Sequence, residues 1–385
     1  MFDLADPAFV ADPYPHFAEL RSRGGVHHHP GLGMPVAVSH AAASEVLRHR
    51  GLGRIWVDAE PAADFPAFNL LHQTSLLESE PPAHTRLRRS VSAAFARGHV
   101  ERLRPWVAGM ADWLVADLTA QGGGDLIAEL AAPLPVQVIA ELLGVPEVDR
   151  ARLQPWSNAI VKMYEPGLPA HRRAEAEAAA AEFAGYLRWL ADERRSAPRD
   201  DMVSDLVAAE QLSPDEVVGT AVLLLMAGHE ASVNLVGNGV LALLRSPSQW
   251  HRLLDDPGLI PTAVDELIRF DSPLQLFERT AVEDVTIAGR SVPAGTKIAA
   301  LLGAAARDPE VFADPDALDV GRNPNPHLGF GAGIHYCLGA PLARLEAAAA
   351  LSALVRLAPR LRLADEPQRR PEFVIRGLRN LPIEV

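Results

Sequence analysis

A stretch of about thirty residues at 213–245 constrains the fold of this chain more than any other part of its sequence. It opens with a capping box, in which Ser213 is the N-cap, Pro214 the first helical residue and Glu216 the reciprocal partner. The residues that follow are mostly apolar, and no proline recurs until Pro247. A helix of this length runs roughly 45 Å, and one without a clean polar face is expected to be buried. We therefore predict a central helix that crosses a whole domain.

The rest of the chain is mainly α-helical in pattern, with a small β region. Helical signals cover 13–23, 82–95, 100–118, 134–143, 148–163, 170–195, 247–254 and 259–270. Short strand signals lie at 36–38, 285–287, 297–299 and 373–375. No linker, low-complexity run or repeat divides the 385 residues, so we expect a single domain over 1–385.

Composition excludes several classes of function. A net charge of -13 argues against nucleic acid as a partner, because phosphate binding needs a basic surface. No apolar run reaches the roughly eighteen residues that span a bilayer, and residues 1–6 do not resemble a signal peptide. We expect a cytoplasmic protein with no membrane anchor. The run from His27 to His29 precedes Pro30 and indicates a strand end and turn, not a metal site.

The only cysteine, Cys337, lies in the glycine-rich segment 330–339, which leads directly into an apolar helical pattern. Gly331, Gly333 and Gly339 can adopt positive φ, so the chain can curl backbone N–H groups around the sulfur. The positive end of the following helix also favours a thiolate, and Phe330 can keep water from it.

One cysteine excludes an intramolecular disulfide and a zinc site made only of cysteines. The natural partner of a single thiolate is a metal that takes one such ligand from the protein, and haem iron is that metal. The alternative is that Cys337 is an inert buried thiol, which is the usual state of a lone cysteine.

The segment resembles the haem-binding signature of the cytochrome P-450 superfamily through Phe330-x-x-Gly333-x-x-x-Cys337-x-Gly339 and the following Leu342-Ala343-Arg344. The resemblance extends over nearly the whole chain, and the chain is similar to soluble bacterial members that hydroxylate polyketides and macrolides. It implies the P-450 fold, with the central helix over a haem b whose iron is ligated by Cys337.

Two further groups of residues match the family. Glu266 and Arg269 stand one turn apart and, with Arg322, resemble the family's Glu-x-x-Arg signature and the arginine before the haem loop, so we assign them to bracing that loop. Residues that resemble the family's haem-propionate ligands are His84, Arg88, Arg279 and His335. Guanidinium and imidazolium groups suit carboxylates, although each of these side chains taken singly is more often a surface residue.

The middle of the central helix departs from the family. Gly228 and Glu230 resemble the oxygen-activation motif, but Ala231 replaces its threonine and Ser232 stands one residue further, about 100° around the helix. Proton delivery needs an acid and a hydroxyl along a water path. Four explanations for the missing threonine are open. Ser232 or ordered water could carry the proton, a hydroxyl of the substrate could complete the relay, or the enzyme could perform an oxidation that depends less on this relay. The fourth is that the enzyme is simply weakened. We favour substrate or water assistance.

The resemblance implies a monomeric monooxygenase that inserts one atom of O2 into a hydrophobic small molecule, a secondary metabolite, by hydroxylation or epoxidation. Electrons would come from NAD(P)H through ferredoxin reductase and ferredoxin. The arginines that could attract an acidic redox partner are Arg86, Arg88, Arg89, Arg97, Arg102 and Arg104. The alternative is that they form an ordinary solvated charged face. Alternatives are oxidative aromatic or C–C coupling, a peroxide-driven oxygenase and, outside enzymes, a haem sensor or carrier.

Segments that resemble the family's substrate-facing parts are largely apolar. They are 55–76, 161–168, 226–227, 273–277 and 377–378.

Overall fold

The computed structural model describes residues 1–96, 98–164 and 168–385. The helices are α1 (Pro7–Ala11), α2 (Tyr14–Ser22), α3 (His40–Arg48), α4 (Pro66–Gln73), α5 (Ala83–Ala96), α6 (His99–Ala120), α7 (Pro133–Leu143), α8 (Leu153–Val161), α9 (Ala170–Ser196), α10 (Met202–Val207), α11 (Pro214–Leu244), α12 (Pro247–Asp255), α13 (Ile260–Phe270), α14 (Leu302–Ala305) and α15 (Ala340–Leu357). The strands are β1 (Val26–His29), β2 (Met34–Ala37), β3 (Leu52–Gly53), β4 (Gly123–Asp125), β5 (Leu276–Ala281), β6 (Val285–Ile287), β7 (Arg290–Val292), β8 (Lys297–Leu301), β9 (Arg362–Leu363) and β10 (Pro382–Glu384).

The long central helix is confirmed as α11, which has 31 residues. Its capping box forms as predicted: the Ser213 N–H donates to the Glu216 carboxylate at 2.8 Å, and the Glu216 N–H donates to the Ser213 hydroxyl at 3.2 Å. By length and mean hydropathy this helix could cross a membrane, which the sequence expectation had excluded. However, 67% of its most apolar 18-residue window is buried inside the protein, as in the core helix of a globular domain.

The chain divides into two compact units. The first contains Met1–Gly53, Val107–Leu134 and Glu230–Val385, and the second contains Arg54–Trp106 and Pro135–His229. The single-domain expectation for 1–385 stays a prediction.

The first unit contains every strand named above. Its five-stranded sheet has the order β1-β2-β8-β5-β3, in which β2 and β8 run parallel and the other pairs antiparallel. Val46 and Leu47 of α3 pack with Ile298 and Ala300 of β8 in one buried core. The histidines of β1 pair with β2 in the strand predicted for them, and the His29 imidazole lies against the Phe2 carbonyl at 3.1 Å. The sheet therefore carries the strand β5, on which one predicted site residue lies.

The second unit is helical in its described residues, apart from loops and short 3-10 turns. Its longest complete helix is α9, which has 27 residues and buries Phe183, Leu187 and Leu190. The Glu177 carboxylate on α9 accepts the backbone N–H groups of Ala67 and Phe68 at 2.8 and 2.9 Å. These are unsatisfied donors of the first turn of α4, so α9 caps that helix.

The mainly α fold with a small β region is confirmed, and most predicted helices agree within a few residues. The helix α3 was missed, although Ser39 is a regular N-cap whose side chain accepts the Ala42 N–H. The predicted strand at 373–375 is wrong: this segment makes only an isolated bridge between Ile375 and Leu274. Its apolar residues line a loop that is shaped by the arginines around them, as described below.

Candidate active site

The Cys337 segment is a tight loop in the first unit that ends where α15 begins, three residues after the cysteine. Gly331 and Gly333 have φ of 70° and 72°, as the sequence predicted. The Cys337 N–H donates to the Phe330 carbonyl at 2.9 Å, which closes the loop on itself. The thiol is half-buried and is not part of a disulfide.

Gly333 is the residue that the loop can least replace. A Cβ at this position would lie 2.6 Å from the Leu47 carbonyl oxygen of α3, so close packing adds to the strain of its positive φ. Gly339 differs from the expectation, because its φ is -79° and needs no glycine. A Cβ on Gly339 would instead lie 4.0 Å from the Cys337 sulfur. That distance is an ordinary van der Waals contact, so neither backbone conformation nor crowding at the sulfur requires a glycine at 339.

Arg344 links this loop to α13. Its guanidinium lies 4.4 Å from the Phe330 ring centroid and donates to Asp265 at 2.8 Å. Burial would raise the pKa of Asp265, but hydrogen bonds from His327 and Arg344 outweigh it and hold that pKa below its ordinary value. Arg344 thus contacts the loop through the face of the Phe330 ring and ties it to α13 through Asp265.

The predicted Glu266 cluster forms, and its Glu266–Arg269 pair is fully buried. Arg269 donates to both Glu266 oxygens at 2.7 Å, and neither side chain is exposed. Arg322 donates to Glu266 at 3.1 Å, and the Asp319 N–H and the Asn325 amide add bonds at 2.9 and 3.2 Å. The remaining Arg269 donors reach backbone carbonyls of 306, 315 and 317. Such complete hydrogen bonding is what a buried ion pair needs to be tolerated.

Two of the four predicted propionate ligands lie in the first unit. Arg279 is on β5, is 2% exposed, and donates to the Glu278 carbonyl at 2.9 Å. His335 ends a short 3-10 turn of the cysteine loop and is half-buried. The Glu278 carbonyl is the kind of partner that a buried arginine needs.

The other two ligands belong to the second unit. His84 and Arg88 are one turn apart on α5, as predicted, with His84 3% exposed and Arg88 half-buried. The roles of all four residues stay predictions.

The relay residues of α11 differ in their surroundings. Gly228, in the second unit, packs against α7, and a Cβ there would lie 3.2 Å from the Ile139 side chain. A glycine at position 228 is therefore accounted for by close helix packing just as well as by the predicted groove beside the iron. Ala231 is exposed, whereas Ser232 is 5% exposed. The two positions that replace the family's threonine thus have different environments, and their roles stay predictions.

Sequence reasoning missed Glu346, which lies on α15 and is 1% exposed. Within the described residues neither of its carboxyl oxygens makes a regular hydrogen bond. Burial raises the pKa of Glu346 to about 8, and the nearby Ser232 hydroxyl offsets only part of that effect. Glu346 is therefore a carboxyl group that keeps its proton at neutral pH. A lone acid among the apolar residues of 340–357 was the available signal.

It also missed the partner of Glu230. The Arg370 guanidinium donates to the Glu230 carboxylate at 3.4 Å, from a segment 140 residues further along the chain. The available signal was the spacing of Glu230, Asn234 and Asn238, which places three polar side chains on one face of an apolar helix. Such a stripe predicts a polar partner segment.

Part of the expected substrate region forms an aromatic cluster in the second unit. Trp56 stacks on His72 with ring centroids 4.2 Å apart, and Phe68 is equally close to His72. The Tyr164 hydroxyl lies 2.8 Å from the His72 imidazole. Burial lowers the pKa of His72 below its ordinary value, which favours the neutral ring. Residues 165–167 of the expected segments lie outside the described residues.

The donors present fit a haem. Within 1–96, 98–164 and 168–385, no group of three or more His, Cys, Asp or Glu side chains could hold a metal ion. Cys337 instead offers one thiolate on a loop that only glycines at 331 and 333 allow, and Arg279 offers a buried cation. One thiolate with separate cationic donors suits a haem with its propionates.

Comparisons with known proteins agree with these features. A family model described as Cytochrome P450 matches residues 258–373. The chain is 41% identical over 389 residues to cytochrome P450 monooxygenase PikC of Streptomyces venezuelae, covering 97% of this chain and 91% of that protein. It is 39% identical over 398 residues to vitamin D(3) 25-hydroxylase of Pseudonocardia autotrophica, covering 99% and 96%. A solved structure of P450BioI with a hexadec-9Z-enoic acid-ligated acyl carrier protein matches with a TM-score of 0.95 at 34% identity, covering 99% of this chain and 100% of that one.

Proposed function

The chain belongs to the cytochrome P450 family and is a P450 monooxygenase, and from that premise we propose that it hydroxylates or epoxidises a hydrophobic small molecule of secondary metabolism. The names of two relatives, a vitamin D(3) 25-hydroxylase and a P450 solved in complex with a fatty-acid-ligated acyl carrier protein, support an apolar substrate. The largely apolar segments around Trp56 and Phe68 support it as well.

We propose haem b as the cofactor, with Cys337 as its proximal ligand. Bound haem would supply the activation of O2 and the transfer of one oxygen atom to the substrate. The observation that carries this proposal is the geometry of the loop, in which Gly331 and Gly333 have positive φ and the Cys337 thiol lies directly before α15, outside any disulfide. Phe330 and Gly339 would shield the sulfur and leave room beside it. Arg279, His335, His84 and Arg88 would hold the propionates.

The chain's own proton supply would begin at Glu230, beside the groove of Gly228. Since Ala231 has no hydroxyl, the next donor in the relay would be water or a hydroxyl of the substrate. Ser232 is the alternative donor, and its neighbour Glu346 keeps a proton at neutral pH.

We propose that ferredoxin delivers the electrons and that the protein is a cytoplasmic monomer. Several arginines of the predicted docking surface are paired within the second unit. Arg86 makes two bonds to the Glu216 carboxylate, Arg102 pairs with Asp200, and Arg104 pairs with Glu101. Arg97 lies outside the described residues. Arg89 on α5 is exposed and is therefore the better probe of this surface.

The ligand assignment is tested by the spectrum of the reduced protein with carbon monoxide. Wild-type protein is expected to show the red-shifted Soret band that a thiolate ligand produces, and Cys337→Ser to lose it. Cys337→His serves as the matched control, because it keeps an iron ligand and moves the band to the position of an imidazole-ligated haem. A wild-type band at the imidazole position in freshly purified, folded protein would refute the assignment.

The partner assignment is tested by reduction kinetics. Arg89→Glu is expected to slow reduction by ferredoxin several-fold at low salt, with the difference shrinking as ionic strength rises. Arg290→Glu, an exposed arginine on β7, is the control for net charge. Equal rates for the two variants would exclude Arg89 from the docking surface.

A further inference from the structure

The central helix carries a polar stripe that faces the C-terminal part of the chain within the first unit. Glu230, Asn234 and Asn238 are spaced four residues apart and so lie on one face of α11. We name the segment 368–379, which pairs with this face, the C-terminal hairpin. Its two arms are joined by backbone bonds from the Arg379 N–H to the Gln368 carbonyl at 2.7 Å and from the Arg370 N–H to the Gly377 carbonyl at 3.1 Å.

The hairpin is anchored on both sides of its turn. Arg369 and Arg376 each donate to the buried Asp271 carboxylate, at 2.8 and 2.7 Å. Arg376 also reaches backbone carbonyls of Val10 and Ala11. Burial would raise the pKa of Asp271, but these two guanidinium groups hold it well below its ordinary value. The anchor is therefore a charged cluster that stays paired.

The hairpin also contacts the stripe itself. The Asn238 amide donates to the Arg376 carbonyl at 3.0 Å, and Arg369 donates to the Asn238 oxygen at 3.3 Å. Gly377 lies so close to Asn234 that a Cβ on it would overlap the Asn234 amide oxygen. These contacts fix the distance between the hairpin and the helix at the two stripe positions that follow Glu230.

Arg370 is the exception within this frame. Its backbone is fixed by Gly377, but its side chain makes one long bond of 3.4 Å to Glu230, and the two side chains are 32% and 12% exposed. A partly exposed pair with a single long bond contributes little free energy and breaks readily. The hairpin thus holds one weakly bonded cation opposite one carboxylate.

We propose that Arg370 is a positioning residue for Glu230, which holds this carboxylate at the edge of the central helix and releases it when a proton is passed on. The inference rests on the relay role of Glu230 proposed above. The step is a proton transfer only: Glu230 takes a proton from water and gives it to the next donor in the relay, and Arg370 keeps its charge throughout.

The first test does not depend on turnover. In carbodiimide labelling of carboxyl groups with glycine ethyl ester, read by mass spectrometry, Arg370→Gln is expected to label Glu230 several-fold faster than wild type. Arg379→Gln is the matched control, because Arg379 lies in the same hairpin, carries the same charge and is exposed. Arg370→Lys is expected to stay near the wild-type rate. Equal labelling of Glu230 in wild type, Arg370→Gln and Arg379→Gln would overturn the proposal.

The second test measures how much product and how much peroxide form for each NAD(P)H consumed. A general acid contributes about 10²- to 10⁴-fold to a reaction, so loss of its positioning residue alone is expected to lower product per NAD(P)H by about threefold to tenfold. The solvent deuterium isotope effect should rise in Arg370→Gln, and Arg370→Lys should restore both values to within about twofold. The double variant with Glu230→Gln should behave as Glu230→Gln alone, since the two residues act through one route.

The outcomes separate the two proposals. If Glu230→Gln leaves the product ratio and isotope effect unchanged, the relay role of Glu230 is wrong and this inference fails with it. If Glu230→Gln changes both values but Arg370→Gln does not, the relay stands and the positioning role of Arg370 is refuted. If Arg370→Gln does not fold, Arg370→Lys takes its place, and the proposal requires it to behave as wild type in both tests. If this charge-preserving variant instead loses as much product per NAD(P)H as Glu230→Gln does, positioning of Glu230 by the charge of Arg370 is refuted.

Discussion

Two ion pairs of the first unit, Glu266 with Arg269 and Glu230 with Arg370, are made of the same chemical groups but are held very differently. The Glu266 pair is fully buried and makes two bonds of 2.7 Å, with further donors from Arg322. The Glu230 pair makes one bond of 3.4 Å and is partly exposed. A buried cluster with many hydrogen bonds, such as the first, can brace a loop, but breaking its ion pair costs much free energy. An open pair such as the second stabilises little and is free to move.

The surroundings of the two pairs explain this difference. The Glu266 oxygens receive donors from three side chains and one backbone N–H, so every lone pair that faces the protein is used. At Glu230, the neighbouring Asn234 amide donates to the Glu230 carbonyl at 2.9 Å and not to its carboxylate. The two pairs are therefore distinguished by how many bonds they make and not by residue type.

The largest effect is expected where the closed cluster is broken. Glu266→Gln leaves the buried Arg269 and the partly buried Arg322 without their counter-charge, which should cost about 3–5 kcal/mol of unfolding free energy and lower haem retention. Urea unfolding and haem content of the purified protein measure both. The control is Asp319→Asn, which removes an exposed partner of Arg252 and should cost no more than about 1 kcal/mol. A similar cost for the two variants would remove the distinction drawn above.

An intermediate effect is expected from the neutral acid beside Ser232, and it depends on pH. The pKa of Glu346 is raised from 4.5 to about 8 in the folded protein, so its contribution to stability is fully present below about pH 4.5. Between those values the unfolded chain releases this proton while the folded chain keeps it. Stability relative to Glu346→Gln should therefore fall by on the order of a few kcal/mol from pH 5 to pH 8.

Urea unfolding of wild type and Glu346→Gln across this range measures the difference. Glu175→Gln, at an exposed position on α9, sets the background for loss of one carboxylate. Parallel curves for wild type and Glu346→Gln would show that the buried acid does not hold its proton through neutral pH.

The smallest effect on stability is expected from a substitution at Ala231, next to the partly exposed Glu230 pair. Ala231→Thr changes an exposed helical position and should cost about 0.7 kcal/mol or less through helix propensity. It restores the hydroxyl that the family's motif has, so the ratio of product to peroxide should change although the fold does not. Thermal unfolding and product analysis with the same substrate measure the two parts. An unchanged ratio would mean that proton delivery does not pass the side chain at position 231.

Much of the fold could be predicted because its signals are local. The capping box at Ser213 and Glu216 involves residues three apart, and it formed as expected. The turn-spaced pair Glu266 and Arg269 also formed, and its burial could not be foreseen because exposure depends on what packs over the helix. The segment 373–375 was misread as a strand because its apolar pattern does not reveal the arginines that anchor the hairpin.

The sequence by itself determined the family, the long central helix, the Cys337 loop and the missing threonine at Ala231, since each depends on residue types within a few positions of one another. Only the tertiary structure decided which charged side chains are buried in many hydrogen bonds and which are weakly bonded and partly exposed. Arg370 meets Glu230 across 140 residues, and Glu346 of α15 loses its water where it lies near Ser232 of α11. Ionic and desolvation energies depend on spatial neighbours and burial, and those follow from the folded packing of distant segments.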